Sequence, residues 1–402
     1  MRWEVVKLGE LYNVHNGLSK GGKFFGSGYP FLTFSTVFNN YFIPEDITDY
    51  VQSTSKEQEN YSVHRGDVFV TRTSETSDEL GMSCVALKDY PKATYNGFTK
   101  RMRPKTDRVL PEYIGYYMRM PSFRNEFQAF STMTTRASLK NEDLLSLKVS
   151  LPPVETQRRI ANILRTYDDL IENNQKQIKL LEEAAQRLYK EWFVDLRFPG
   201  YEDVAVVDGM PEGWKKDSVD SRIKLLSGYA FKSSEFNAEG KYKIVTIKNV
   251  KDGQFDGDNV SRMVEIPDKM PVHCKLSDGD ILLSLTGNVG RVCIIHGEDY
   301  LLNQRVAKLK SNIPVFTYCL FRSKEMFDEM NNLANGAAQQ NLSPIRTGKI
   351  QILFPTDDLI QSFEKTVQPI IDRIAVLNKE ILVSIQARDR LLPKLMSGEL
   401  EV

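Results

Sequence analysis

The chain is written twice, and this constrains its fold more than any other feature. Self-similarity recurs at about 200 residues, far too long a period for a solenoid unit, so the repeat is a duplicated domain and not an array. Trp3 precedes Asn16-Gly17 by the same interval at which Trp214 precedes Ser227-Gly228. An apolar run follows a polar loop in each copy, Tyr29 to Val37 and Tyr242 to Val250. Arg65-Gly66-Asp67-Val68-Phe69-Val70 then matches Asp278-Gly279-Asp280-Ile281-Leu282-Leu283, a Gly-Asp turn feeding a β-rich run. A second strand is expected at Gly81–Val85 and again at Gly290–Ile294. Ser138-Leu139 aligns with Asn341-Leu342, Leu151-Pro152-Pro153 with Leu353-Phe354-Pro355, and Asp169 with Asp372. Each copy ends in strand, proline, helix.

Those helices carry the clearest local signal. After Pro153, Ile160, Ile163, Tyr167 and Leu170 recur in steps of three and four, and after Asn174 the stripe continues through Ile178, Leu181, Ala185, Leu188 and Trp192. Charges of both signs flank it, as on a coiled-coil helix. The second stripe runs Phe363, Val367, Ile370, Ile374, Leu377, Ile381 and Ile385. Thr356 is placed to cap that helix, Asp357 and Asp358 suit its positive end, and Pro393 and Gly398 are expected to stop it. A narrow, long stripe suits a helix-helix seam better than packing on one domain. The expected architecture is therefore mixed α/β: two duplicated globular heads joined by two long helices in an antiparallel coiled coil, with pseudo-two-fold symmetry. The boundaries fall at 1–153 for the first head, 154–197 for the first helix, 198–355 for linker and second head, and 356–402 for the second helix. Phe198–Trp214, rich in Pro, Gly and acidic residues, reads as the linker.

Several functional classes are disfavoured. No apolar run approaches the roughly 20 residues of a membrane span, and the start lacks a signal-peptide pattern, so a cytoplasmic protein is expected. Cys84, Cys274, Cys293 and Cys319 are scattered without a CxxC pair and read as buried, reduced thiols, not as a disulfide framework or a metal site. Gly17 to Lys23 satisfies GxxxxGK but puts Phe24 where a phosphate-binding loop needs Ser or Thr for Mg²⁺, and the second copy loses the pattern. A methyltransferase would need a cofactor-binding glycine motif and an Asn/Asp-Pro-Pro-aromatic tetrad, and the Pro-Pro here is Leu151-Pro152-Pro153-Val154. Pro267-Asp268-Lys269 lacks the second carboxylate of a nuclease centre, and His15, His64, His273 and His296 have no triad partner at a telling spacing. No catalytic residue and no metal ligand is assigned.

What remains is polar loop chemistry suited to base edges, where Arg and Lys pair with guanine and Asn and Gln with adenine. The 53 basic residues equal the 53 acidic ones, so a DNA-binding chain must distribute its charge unevenly. It does: Lys100, Arg101, Arg103, Lys105, Arg108, Arg119, Arg124, Arg136 and Lys140 outnumber Asp107, Glu112 and Glu126, and residues 300–350 lean the same way. The candidates in the first copy are Lys20, Lys23, Arg72, Thr73, Ser74, Arg101, Arg103, Thr135 and Arg136. In the second they are Lys232, Lys248, Asn249, Thr286, Asn288, Arg291, Gln304, Arg305, Gln339 and Gln340. Each one alone reads more readily as a solvated loop residue or turn former than as a base contact. The set carries the expectation.

Leu151-Pro-Pro-Val-Glu-Thr-Gln-Arg-Arg-Ile-Ala-Asn-Ile-Leu164 with Asp168-Asp-Leu-Ile-Glu-Asn-Asn174 resembles the conserved region of type I restriction-modification specificity subunits. Trp192 to Gly200, Met210-Pro-Glu-Gly-Trp214 and Leu391-Leu-Pro-Lys-Leu-Met-Ser-Gly398 are similarly characteristic, so the likeness spans the chain. The resemblance implies that the heads are target-recognition domains, each reading half of a bipartite, asymmetric site in double-stranded DNA. It further implies that the helices are a ruler; helices of roughly 35 residues extend about 50 Å. Two methylation subunits would bring S-adenosylmethionine, and restriction subunits would bring ATP and Mg²⁺, leaving this chain non-catalytic and free of cofactors. The resemblance assigns no base contact. Alternatives are the specificity part of a related bifunctional restriction-methylation system and a coiled-coil scaffold without nucleic acid.

Overall fold

A computed structural model describes residues 3–74, 79–129, 132–133, 137–257, 260–334 and 340–402. The chain divides into two compact units. One holds residues 1–169 with 384–402, and the other holds 170–383. Each unit is therefore a head together with part of both long helices.

In the first unit, Glu4–Lys7 pairs antiparallel with Lys148–Leu151, closing the head beside the start of its helix. A four-stranded antiparallel sheet has the order Tyr12–Asn16, Thr99–Pro104, Val68–Thr71, Ser83–Val85. A three-stranded sheet sets Phe25–Leu32 between Tyr50–Val51, antiparallel, and Thr94–Tyr95, parallel. The apolar run from Tyr29 does not stay extended: Thr33 accepts the Thr36 amide and starts the helix Phe34–Asn39. Pro111 opens the helix Pro111–Tyr117, where a missing N–H costs nothing.

The second unit repeats this order. Lys215–Ser218 pairs with Gln351–Phe354. The four-stranded sheet runs Lys224–Ser227, Val306–Lys310, Ile281–Ser284, Val292–Ile294, and the three-stranded one runs Ser261–Met263, Tyr242–Val245, Tyr300–Leu302. Pro314 opens Pro314–Arg322 as Pro111 opens its counterpart. The expected Gly-Asp turns are present, with Gly66 and Gly279 at φ of 88° and 87°, where glycine alone is unstrained. The four cysteines are buried and free. The linker is not featureless: Val206–Val207 and Met210–Pro211 form a hairpin turned by Asp208 and Gly209, both at positive φ.

The first long helix runs Val154–Tyr189 and widens into a looser turn, Lys190–Val194, where the Asp195 amide bonds back to the Lys190 carbonyl. The second runs Asp357–Ser397, with the Leu359 amide donating to Thr356 at its start. Contrary to expectation, Pro393 does not end it. Leu392, Leu395 and Met396 are buried in the first unit's core and hold the helix past the missing hydrogen bond, and Gly398 at φ 74° stops it.

The two helices pair antiparallel within each unit. In the first, Ile160 and Leu164 share a core with Leu392 and Leu395, and Arg388 reaches Asp168 at 2.7 Å. In the second, Asn174 donates to Glu380, and Tyr189 and Trp192 meet Phe363 edge to face. All seven residues expected in the second helix's seam are buried or half-buried. In the first helix Ile160 is buried and Ile163, Tyr167, Ile178, Leu181 and Leu188 are half-buried, but Leu170 is 42% exposed while Ile171 is covered. A strict 3.5-residue step drifts against a 3.6-residue helix, and the packed stripe moves one position on, to Leu164 and Ile171.

A polar lock joins head to helices in each unit. The Tyr116 hydroxyl donates to Asp168, which also receives Arg388; the Arg388 guanidinium lies over the Tyr41 ring. In the other unit, Tyr318 and Arg322 both donate to Glu182, with Asp252 beside Arg322.

Candidate nucleic-acid interface

In each head the ends of sheet strands place loops side by side, and the backbone holds them in register. In the second head the bridge Tyr229–Asn303, the Gln304 amide on the Tyr229 carbonyl and the Leu285 amide on the Arg305 carbonyl (2.9 Å each) bind three loops together. A fourth joins through the bridge Thr286–Asn341 and the Gly287 amide on the Gln340 carbonyl. The first head repeats the frame with Leu18–Asn96, the Arg72 amide on the Phe98 carbonyl at 2.9 Å, and Thr73–Ser74 paired with Ala137–Ser138. Gly17 and Gly228 are required here: a Cβ would lie 2.0 Å from the Asn96 carbonyl oxygen, or 2.2 Å from that of Asn303.

This frame sorts the candidate residues. In the second head, Thr286, Asn288, Arg291, Gln304, Arg305 and Gln340 come from the joined loops and adjoining strand ends, and of these Asn288, Arg291, Gln304, Arg305 and Gln340 are exposed. Arg291 lies over the Phe327 ring at 5.9 Å, and the Thr286 hydroxyl is buried without a partner. Lys232 and Lys248 are exposed, with Lys232 3.9 Å from Glu235. Asn249 has another task. Buried, it accepts the Thr246 amide and donates to the Asp256 carbonyl, closing a turn.

In the first head Arg72 is half-buried on the joined loops, and Lys23 is exposed beside the Phe24 ring. Lys20 is tied to Glu57 at 2.8 Å and to the Gln52 carbonyl, and that bond holds the Glu57 carboxyl below its usual range. Arg101 and Arg103 face inward. Arg101 is buried against Tyr95 and donates to the Ser62 carbonyl, and burial pulls its pKa down. Arg103 grips the buried Asp67 with two nitrogens, at 2.8 and 2.6 Å, which raises its own pKa. Such a bidentate pair is a structural closure. Thr135, Arg136 and Gln339 lie outside the described residues, and the side chains of Thr73 and Ser74 are not described. Reasoning from charge missed Asn96, whose side-chain oxygen accepts the Phe98 amide (2.6 Å) as that of Asn303 in the other copy accepts the Arg305 amide (3.3 Å); its equivalent place in the repeat was the available signal. Among the described residues no group of acidic, histidine or cysteine side chains could hold a metal ion, and no helix is long and apolar enough to cross a membrane.

The family described as type I restriction modification DNA specificity domain matches residues 1–183 and again 211–386. The MjaIX type I restriction enzyme specificity subunit of Methanocaldococcus jannaschii is 26% identical over 426 residues, covering 100% of this chain and 94% of that protein. The HindI specificity subunit of Haemophilus influenzae is 22% identical, with 99% of each chain covered. A crystal structure of the S subunit of a type I system from M. genitalium superposes with a TM-score of 0.55 at 15% identity, over 98% of this chain and 96% of that one. That likeness shows the fold.

Proposed function

Because the chain belongs to the type I restriction-modification DNA specificity family, we propose that each head reads one half of a bipartite, asymmetric site in double-stranded DNA. The observation that carries this is a single frame built twice, in the same strand order, with different side chains on its joined loops. A scaffold needs no such variation; a reader of two unlike half-sites does.

The long helices set the interval between halves and offer two methylation subunits a place to dock, and restriction subunits join that assembly. S-adenosylmethionine, ATP and Mg²⁺ belong to those partners. This chain directs their chemistry in the cytoplasm and carries out none itself. Exposed Arg291 and Arg305 with the amides of Asn288, Gln304 and Gln340 suit guanine and adenine edges in the second half-site.

The test is a map of modified bases in a genome that expresses the modification partners, with and without this gene. A split motif that disappears with the gene is expected; an unchanged map sinks the proposal. Affinity of the assembled complex for DNA should also fall as salt rises, because phosphate contacts release counterions.

A further inference from the structure

We propose that Phe98 is a specificity-determining residue of the first head and contacts a thymine methyl group in the half-site that head reads. The proposal rests on the DNA-reading role argued above.

Phe98 and Arg305 occupy one position in two copies of the same loop. In both, an asparagine two residues earlier accepts the residue's amide on its side-chain oxygen. The residue's carbonyl receives an amide from the neighbouring loop, Arg72 in one head and Leu285 in the other, at 2.9 Å each time. The asparagine carbonyl then takes the next amide, from Thr99 at 3.0 Å and from Val306 at 2.9 Å. The backbone therefore presents both side chains from the same rigid, two-residue projection. Arg305 is exposed there, and Phe98 is 53% exposed.

Among the described residues Phe98 is the most exposed large aromatic side chain, and it has no group to pair with a phosphate or a base edge. In the major groove the apolar feature that separates bases is the thymine 5-methyl. Where arginine asks for guanine, phenylalanine at the same point of the frame asks for thymine. The two heads then read different bases through one geometry.

The experiment uses this chain assembled with its methylation partners. In the modification map, Phe98→Ala should relax one thymine position in one half-site and leave the other half and the spacing unchanged, while Arg305→Ala should relax the other half. Phe98→Leu, which keeps an apolar contact, should fall between wild type and Phe98→Ala. On duplexes with uracil in place of that thymine, wild type should bind roughly three- to five-fold more weakly, the ratio expected for losing one buried methyl, and Phe98→Ala should not distinguish the two. Thermal melting of each variant checks that the head remains folded. A wild-type split motif unaltered by Phe98→Ala overturns this proposal and leaves the DNA-reading role standing; absence of any split motif in wild type overturns both. Equal loss of affinity by Phe98→Ala on thymine and uracil duplexes also overturns it, since that marks a wedge between base steps and not a methyl contact.

Discussion

Asp67 in the first head and Asp280 in the second perform the same task with different partners. Each accepts the amide three residues before it at 2.8 Å, from His64 and from Ser277. Each then holds a cation from the neighbouring strand: Asp67 takes a two-pronged Arg103, and Asp280 takes Lys308 at 2.6 Å. The carboxylate is kept because the turn needs it, and the cation is free to change as long as the charge is matched. On the joined loops Asn96 and Asn303 are kept for the same reason, each accepting an amide, and the copies diverge at the residue those asparagines hold in place, Phe98 standing against Arg305. The locks onto the long helices diverge in another way. By the offset that aligns Asp169 with Asp372, Asp168 corresponds to Ile371 and Glu182 to Ile385. Both units therefore reached a Tyr-carboxylate-Arg cluster at positions that the duplication does not relate.

Breaking the locks gives the largest expected effect. Arg322→Ala leaves the buried Glu182 with the Tyr318 hydroxyl alone, and losing the charged partner of a buried pair costs up to about 3–5 kcal/mol. Arg388→Ala should destabilise the first unit through Asp168 by a similar amount, with Tyr116 still donating to Asp168 as Tyr318 does to Glu182. Replacing Glu182 and Arg322 together by Leu and Met should cost far less than Arg322→Ala alone. Hydrogen exchange of Pro314–Arg322 and Pro111–Tyr117 assigns each loss to its unit. If both single variants loosen both units equally, the locks are not independent.

The shared frame is tested next. Gly17→Ala and Gly228→Ala each push a Cβ into a carbonyl oxygen, and overpacking of this kind costs about 1–3 kcal/mol. Denaturant unfolding should show similar penalties in the two variants. A penalty in one head alone would mean that the frames are alike in strand order and not in mechanics.

Arg103 and Arg305 sharpen the difference between frame and projecting side chain. Arg103→Ala leaves Asp67 buried and should cost about 1–3 kcal/mol of stability, with half-site preference unchanged. Arg305→Ala should leave stability within about 0.5 kcal/mol and lose about 1–3 kcal/mol of discrimination at one base. Denaturant unfolding and competition binding with altered half-sites separate the two.

These two arginines also show where sequence reasoning stops. Duplication, matched strands and long helices were legible because periodicity and matched Gly-Asp turns are local, repeated signals, whereas the order of strands within each sheet was not. Which cations face outward was not, since Arg103 is turned inward by Asp67, a residue 36 positions away. Leu170 failed because a heptad pattern fixes a stripe to within one residue, and the polar Asp168, Asn174 and Glu182 share the covered face. Pro393 failed because burial of its neighbours outweighed its local cost. Phe98 carries no charge or motif, and the bond from Arg72 to its carbonyl, matched by that from Leu285 to Arg305, brings it into view.

The smallest expected effect comes from a single exchange between the heads. The Gly66 and Gly279 amides bond to the carbonyls of Ala86 and Ile295, so the next residues, Leu87 and His296, correspond. His296 faces a cavity of about 260 Å³ that Asp278, Tyr318 and Asp372 also line. Burial lowers its pKa below the ordinary 6.5, and Asp278, 3.8 Å away, offsets this only in part. The folded second unit therefore prefers neutral imidazole. As pH falls through 6.5 the unfolded chain gains a proton that the folded one resists, so this group's contribution to stability declines below that pH and is level above it. His296→Leu, which copies the first head, should flatten that decline in the second unit and leave the first unit unchanged. Unfolding measured across pH 5 to 8 reads the slope directly, and an unaltered slope would mean that the imidazole is as well solvated in the fold as out of it.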